Sequence, residues 1–250
     1  MPGIRANERP GSTDAIALTS GLASTTLPPD LRLQILTTEH WSLLSTRSQS
    51  WNEAFSRASM FLSALSGAVV ALALAAQVAS FGQGFITFAL LILPVVLFLG
   101  VATFVRLVEI NHEDRRWVIG MNLLRHAYLE AAPELRPYFV TGWHDDEAGI
   151  MATFGARTGP GRFTHEFVTT PGVLAVIDGV LAGNLVGIAG SQLGVSTSIE
   201  LGLAVVAGLL TIALLAAYQY RGAVRPRATW TARFPEATDR VANAGPPEPR

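Results

Sequence analysis

The chain has 250 residues, of which 50% are hydrophobic and only 15% are charged, against about 25% charged in ordinary globular domains. The formal net charge is −1, so the overall charge does not attract nucleic acid, and no nucleic-acid partner is expected. There is no cysteine, which excludes disulfides, thiolate metal sites and cysteine nucleophiles. This composition excludes an ordinary soluble domain and favours a protein of the lipid bilayer.

The amino-terminal part of the chain changes character near residue 27. Residues 1–26 are polar and proline-containing, and we expect a disordered tail. The run Leu27-Pro28-Pro29-Asp30 is typical of a helix start, with Asp30 as a possible N-cap. No helix-breaking signal follows before Phe81-Gly82-Gln83-Gly84. The sequence therefore predicts a cytoplasmic helix that continues into a transmembrane helix.

Two long apolar regions predict four transmembrane helices. No charged residue occurs between Arg57 and Arg106, and the turn at 81–84 divides this interval into spans at 58–80 and 85–105. Each can cross a hydrocarbon core of roughly 30 Å at about 1.5 Å per residue. The second region, 172–220, divides at Gly194–Ser198 into 172–193 and 201–220. The predicted fold class is all-α, an integral membrane four-helix protein made of two transmembrane hairpins.

Arginine placement predicts the orientation of these spans. All 18 basic residues are arginine: five occur up to Arg57, seven in 106–171 and six from Arg221 onward. Neither short turn contains one. By the positive-inside rule, both termini and the 106–171 segment lie in the cytoplasm. We expect a multi-pass protein of a bacterial cell membrane, because the absence of lysine and the many Ala, Gly and Val fit a GC-rich bacterial genome.

Small residues recur at every fourth position of the first and third spans, which places them on one face of each helix. Such stripes let helices approach closely inside a membrane. Two interpretations stay open: packing within one subunit, or an interface of a homo-oligomer. The stripe residues are Ser59, Ser63, Gly67, Ala71, Ala75 and Ala79 in the first span, and Ala175, Gly179, Gly183, Gly187 and Ser191 in the third.

Few polar residues lie in the spans, and the candidates are Asp178, Asn184 and Glu200. Asp178 lies about six residues inside the third span, roughly 9 Å from its cytoplasmic end. An acid inside a membrane is costly and often functional. Asp178 either has a structural role near the interface or takes part in ion or proton movement.

Apolar stripes extend both helices of the first hairpin into the cytoplasm, which predicts a coiled-coil-like stalk at 31–57 and 106–131. Equal helical rise from the turn at 81–84 sets Trp51 near Asp114, with an error of about four residues. A helix lying flat on the membrane surface is the alternative for the first stripe. The stripes are Trp41, Leu44, Trp51, Phe55, Ala58 and Leu62, then Leu107, Ile110, Trp117, Met121, Leu124 and Tyr128, with Asp114 interrupting the second. This register also sets Trp41 near Leu124 and Phe55 near Ile110.

The remaining segments carry no chemical signature. We expect a short helix and a loop at 132–171, and a disordered cytoplasmic tail at 221–250. The run His144-Asp145-Asp146 reads as a solvated turn rather than a metal site, since no second set of ligands has matching spacing. We therefore expect no enzyme activity, no cofactor and no metal.

The layout of Trp41 through Gln77 and Phe85 through Tyr128 resembles the two-transmembrane effector domains called SLATT. In both, a cytoplasmic helix enters a two-span hairpin that leads into another cytoplasmic helix. The resemblance covers about half the chain and rests on architecture. It implies a membrane pore or membrane damage in bacterial conflict systems controlled by nucleotide signals. The second hairpin, 172–220, departs from that layout.

The leading functional hypothesis is a non-enzymatic, oligomeric membrane protein that binds an unknown cytoplasmic partner through its stalk and opens a pore. The first alternative is a small ion-coupled transporter, with Asp178 and Glu200 as coupling acids. The second is a membrane scaffold that does not conduct.

Overall fold

The computed structural model describes residues 27–155 and 169–236, and for 223–229 it describes the backbone only. These ranges are helical and contain no strand. The tails predicted for 1–26 and 237–250, and the loop predicted for 156–168, lie outside the described residues.

Five α-helices and one short 3₁₀ helix make up the described part of the chain. In chain order they are α1 (Pro29–Ala79), α2 (Gln83–Ala131), the 3₁₀ helix (Pro133–Tyr138), α3 (Glu147–Phe154), α4 (Thr170–Gln192) and α5 (Thr197–Thr229).

Four of these helices are long and apolar enough to cross a membrane: α1, α2, α4 and α5 up to Gly222. The prediction of an all-α fold with four such helices is confirmed. The turns occur where glycine and left-handed backbone permit them. Gly194 has φ of 67°, and Ser80 and Phe81 adopt φ of 49° and 58° just before α2 begins.

The predicted disordered tail from residue 221 is wrong for the part that the structure describes. Helix α5 continues to Thr229, and residues 230–236 are held by hydrogen bonds to Asp145 and Asp146. The predicted solvated turn at His144–Asp146 is also wrong, because the side chain of Asp145 is fully buried.

Residues 27–39 belong to the first of two compact units of the chain, which ends at Glu39. Within this unit the amide of Arg32 donates to the carbonyl of Pro28, and the hydroxyl of Thr38 donates to the carbonyl of Gln34. Both hydrogen bonds are local helical ones, and the unit's described side chains are mainly exposed.

In the second unit, residues 40–250, helix α2 packs against α4, and α4 packs against α5. The packing between α4 and α5 depends on glycine. A Cβ atom at Gly183 would lie 2.8 Å from the carbonyl oxygen of Ala204, and one at Gly208 would lie 2.9 Å from that of Gly179. The two backbones are therefore in direct contact, which maximises dispersion contacts between helices.

Helix α1 pairs with α2 in antiparallel fashion through side chains. His40 stacks on Tyr128 with ring centroids 5.8 Å apart, and Arg47 pairs with Asp114. Further along, Phe61 lies against Gly100. The paired segments 40–57 and 106–131 are called the stalk below. Side-chain contacts therefore join α1 to α2 from His40 to Phe61.

The face of α1 that meets α2 differs from the expected one. Its buried residues are small: Ala54, Ala58, Ala68 and Ala76, with the larger Phe61. Trp41 is 68% exposed, so its side chain is not part of the packed face. The contacts of His40 with Tyr128 and of Arg47 with Asp114 lie within about four residues of the predicted register. Ala54, Phe61 and Ala68 belong to one apolar cluster with residues of α2 such as Ala89 and Phe104.

Candidate functional site

Asp178 lies where α1, α2 and α4 meet. Its side chain is fully buried, and neither carboxylate oxygen has a hydrogen-bond partner among the described residues. The absence of a side chain at Gly100 makes room for it, because a Cβ atom there would overlap the carboxylate. The aromatic edge of Phe61 lies beside the same glycine. A buried carboxyl group without a partner is energetically costly.

The structure does not bring the three polar candidates together. Asn184 is exposed on the outer face of α4. Glu200 packs against Gly190, which is 12 residues beyond Asp178 on α4 and so about 18 Å further along the helix. Asp178 therefore stands apart from the other two polar candidates of the spans.

The small-residue stripe of α4 lies against α5 of the same chain. A Cβ atom at Gly179 would lie 2.5 Å from the side chain of Ile212, and one at Gly187 would lie 3.5 Å from Ala204. The stripe of α1 is different. Ser63 and Gly67 are exposed and Ala71 is partly exposed, and nothing lies within 4 Å of the position of a Cβ atom at Gly67.

Asp114 is neutralised by an arginine of α1. Arg47 donates to both carboxylate oxygens, from Nε at 2.6 Å and from Nη2 at 3.2 Å. The expected partner was the indole of Trp51, one helical turn further along α1, so that assignment is corrected. The Nε1 atom of Trp117 is buried and has no hydrogen-bond partner in the described ranges.

A second ionic cluster lies on the stalk around Glu53. Arg106 donates to both oxygens of Glu53, and Arg57 donates to one. The hydrogen bonds from Arg106, followed by those from Arg57, lower the pKa of Glu53 to about 2. Arg106 also donates to Glu109 and Glu113 on its own helix. This cluster ties α1 to α2 at the end of the uncharged interval.

The loop before α3 is fixed to α2 by Asn122, which is fully buried. Its amide nitrogen donates to the carbonyl of His144 at 2.7 Å. Its amide oxygen accepts from Thr153 at 2.8 Å and from Arg125 at 2.9 Å. A buried amide satisfied on both ends fixes a unique loop position.

Residues 230–236, called the C-terminal clasp below, bind this loop. The carboxylate of Asp145 accepts from the backbone amides of Arg233 and Phe234, each at 2.8 Å. The carboxylate of Asp146 accepts from the amide of Glu236 at 2.7 Å and also caps α3 through Gly149. Successive amides directed at one carboxylate form a strong anion-binding arrangement.

Side chains add to the clasp. The indole of Trp230 donates to the carbonyl of Asp145 at 3.0 Å, and Nδ1 of His144 lies 3.0 Å from the carbonyl of Phe234. The ring of Phe234 stacks on His126 with centroids 4.1 Å apart. Because a carbonyl is an acceptor, His144 is the donor in its contact.

Sequence reasoning missed Asn122 and the clasp. Nothing near Asp145 in sequence identifies a partner some 90 residues away. Asp114 did carry a signal, because an acid interrupting an apolar stripe requires a buried partner. Within the described ranges, no group of three or more His, Cys, Asp or Glu residues is arranged to hold a metal ion.

Comparisons with protein families, with curated proteins and with solved structures found no match for this chain. The class defined by the described residues is therefore an all-helical protein with four helices able to span a membrane.

Proposed function

We propose that the protein is a non-enzymatic, multi-pass protein of the cell membrane that assembles into a pore-forming oligomer. In this proposal the termini, the stalk and the C-terminal clasp lie in the cytoplasm. The distribution of arginine supports that orientation.

A polar stripe on α1 is the observation that carries the proposal. Ser59, Ser63, Ser66 and Gln77 are all exposed and fall within about 60° of one another around the helix. Phe61 and Ala68, which face the rest of the chain, lie on the opposite side. Polar side chains facing lipid tails are unfavourable compared with those facing water or protein. A water-filled pore lined by α1 accounts for this stripe.

The outward faces of the other helices are mainly apolar, with Asn184 of α4 an exposed polar exception. On α2 the exposed side chains include Leu91 and Phe98, and on α5 they include Leu203 and Leu210. On α1 the exposed polar positions are interspersed with exposed apolar ones such as Val70 and Leu74, and in this proposal α1 faces the pore. The bundle of α2, α4 and α5 would then form the outer, lipid-facing part of each subunit.

An apolar ridge beside the polar stripe supports the choice of a second copy as the neighbour. Its members follow one another at steps of seven, four, seven and seven residues, and all are exposed: Leu44, Trp51, Phe55, Leu62 and Val69. The ridge lies about 60° around the helix from the polar stripe. Heptad-like spacing on an exposed helix is typical of helix association. A ridge that contacts the next subunit leaves the adjacent stripe facing the central axis.

Cysteine accessibility tests the pore directly, because the chain contains no cysteine. We expect Ser63→Cys protein in lipid vesicles to conduct small ions and to lose conductance when treated with a charged methanethiosulfonate reagent. Leu91→Cys, on the exposed apolar face of α2, is the matched control and should keep its conductance. Equal inhibition of both variants, or of neither, would contradict a pore lined by α1.

The buried carboxyl group of Asp178 favours one alternative, a small ion-coupled transporter. A proton gradient that drives accumulation of a specific solute, and an Asp178→Asn variant that loses this coupling, would support it. Leakage of unrelated small ions without saturation supports the pore. If the protein shows neither of these activities, the result favours the non-conducting scaffold.

A further inference from the structure

The C-terminal clasp satisfies two buried carboxylates almost entirely through main-chain amides. Asp145 and Asp146 are buried, and neither forms an ion pair within residues 27–155 and 169–236. Three of the four amides that they accept from belong to Arg233, Phe234 and Glu236. The acceptors on the loop and the donors on the clasp therefore form a matched pair.

Helix α5 is fastened to α2 shortly before the clasp. Tyr218 lies beside Phe104 with ring centroids 6.5 Å apart. Beyond it, the ring of His112 fills the space that a Cβ atom at Gly222 would occupy. Burial, followed by the charge of Arg116, lowers the pKa of His112, so the neutral ring is favoured in this contact. The clasp then completes the attachment of the end of α5 to the stalk.

We propose that residues 230–236 are a releasable latch that holds α5 against the stalk and keeps the pore closed, a role that rests on the proposed pore function. The segment is non-helical, and four of its seven residues are exposed: Trp230, Thr231, Arg233 and Glu236. Segments of this kind open as local units without global unfolding. Hydration of Asp145 and Asp146 compensates for the lost amides when the latch opens.

Release is measurable on the full chain as tryptic cleavage after Arg233, because proteases cut segments that are locally unfolded. Asp145→Asn replaces one acceptor oxygen with an amino group that faces an amide donor. We expect trypsin to cleave this bond at least about tenfold faster than in the wild type, because the hydrogen bonds to a charged acceptor are weakened. The cleavage rate is measured in detergent by mass spectrometry. Glu134→Gln, an exposed acid of the 3₁₀ helix, is the matched control and should be cleaved at the wild-type rate.

A second variant changes the latch rather than its receptor. Phe234→Ala removes the ring stacked on His126 and leaves both carboxylates intact. It should also be cleaved faster, with helix content by circular dichroism unchanged. Wild-type cleavage rates in both variants would overturn the latch.

Ion leakage from vesicles tests the gating role and separates it from the pore proposal. Both variants should leak faster than wild type. Faster cleavage with wild-type leakage would overturn the gating role. If no form of the protein leaks, including Asp145→Asn with its latch open, the pore proposal fails while the releasable contact stands on the cleavage result.

Discussion

Arg47 donates two hydrogen bonds to the carboxylate of Asp114 across the two helices of the stalk. The carboxylate side chain is 4% exposed and the arginine side chain 26% exposed, so the pair is mostly shielded from water. This ion pair lies on the face of α1 that meets α2. The first prediction follows from the unequal burial of its two members.

Removal of Arg47 should cost more than removal of Asp114. Arg47→Met leaves a buried carboxylate without a cation, which costs about 3–5 kcal/mol for a fully buried pair. Partial exposure of Arg47 reduces the expected loss to about 2 kcal/mol. Asp114→Leu leaves a partly exposed guanidinium that water can reach. Thermal unfolding followed by circular dichroism in detergent should rank the two variants in this order, and the double variant should recover most of the loss. Equal losses would contradict the burial argument.

The cluster around Glu53 should weaken the stalk in acid. The hydrogen bonds from Arg106 and Arg57 lower the pKa of Glu53 from 4.5 to about 2. A carboxyl group with a depressed pKa contributes stability that is fully present above pH 4.5 and is lost as the pH falls through about 2. Glu53→Gln cannot titrate, so its unfolding temperature should fall less between pH 4.5 and pH 2 than that of the wild type. Parallel curves would show that other carboxylates dominate.

Gly183 should matter within one chain rather than between chains. A side chain there meets the carbonyl of Ala204 on α5. Gly183→Leu should therefore separate α4 from α5 and lower the free energy of unfolding by about 1–3 kcal/mol, the range typical of overpacking, with a lower unfolding temperature. Gly67→Leu is the matched comparison, because nothing lies within 4 Å of the added Cβ, and its unfolding temperature should stay at the wild-type value. A loss of oligomer without a loss of stability in Gly183→Leu would contradict this assignment.

The apolar ridge should control assembly. Phe55 is 60% exposed and packs on Trp51 with ring centroids 6.1 Å apart. Phe55→Glu should leave the helix content unchanged and shift the protein toward monomer, because it introduces a charge where a second copy would bury an aromatic ring. Chemical crosslinking in membranes, with Glu134→Gln as control, measures this shift. An unchanged crosslinking pattern would remove the ridge from the interface.

Gly222 should be intolerant of a side chain as long as His112 is present. The Cβ atom of Gly222→Ala would overlap the imidazole, so α5 should move away from α2 at this point. We expect faster tryptic cleavage after Arg233, because the clasp begins at Trp230, eight residues after Gly222. His112→Ala in the same chain should restore the wild-type cleavage rate. If His112→Ala does not restore the wild-type rate, the contact between Gly222 and His112 does not control release of the clasp.

The features predictable from sequence were those determined by local pattern and length. Long uncharged runs bounded by glycine turns predicted four helices, because few structures other than a long helix bury such runs. The stripe of α2 was also found correctly: Ile110 and Met121 are buried as expected. The uncharged runs and the apolar stripe each repeat along one helix, so their prediction did not depend on residues far away in the sequence.

The packed face of α1 was not predictable from periodicity alone. Of the predicted stripe, Ala58 is buried, whereas Trp51 and Phe55 are exposed; the buried Ala54 was not predicted. Hydrophobic size indicates where burial is favourable, but close helix approach is limited by steric bulk. The clasp depends on amides far along the chain, which have no sequence signature because every residue except proline carries one.

Helix α2 continues without a break through Pro94 and carries three of the contacts described above. Gly100 lies against Asp178, and Asp114 accepts hydrogen bonds from Arg47. Asn122 holds the loop to which the clasp binds. The distance from Gly100 to Asn122 is about 33 Å at helical rise. Over this length, a small tilt of α2 about its loop end becomes a lateral displacement at the carboxyl pocket.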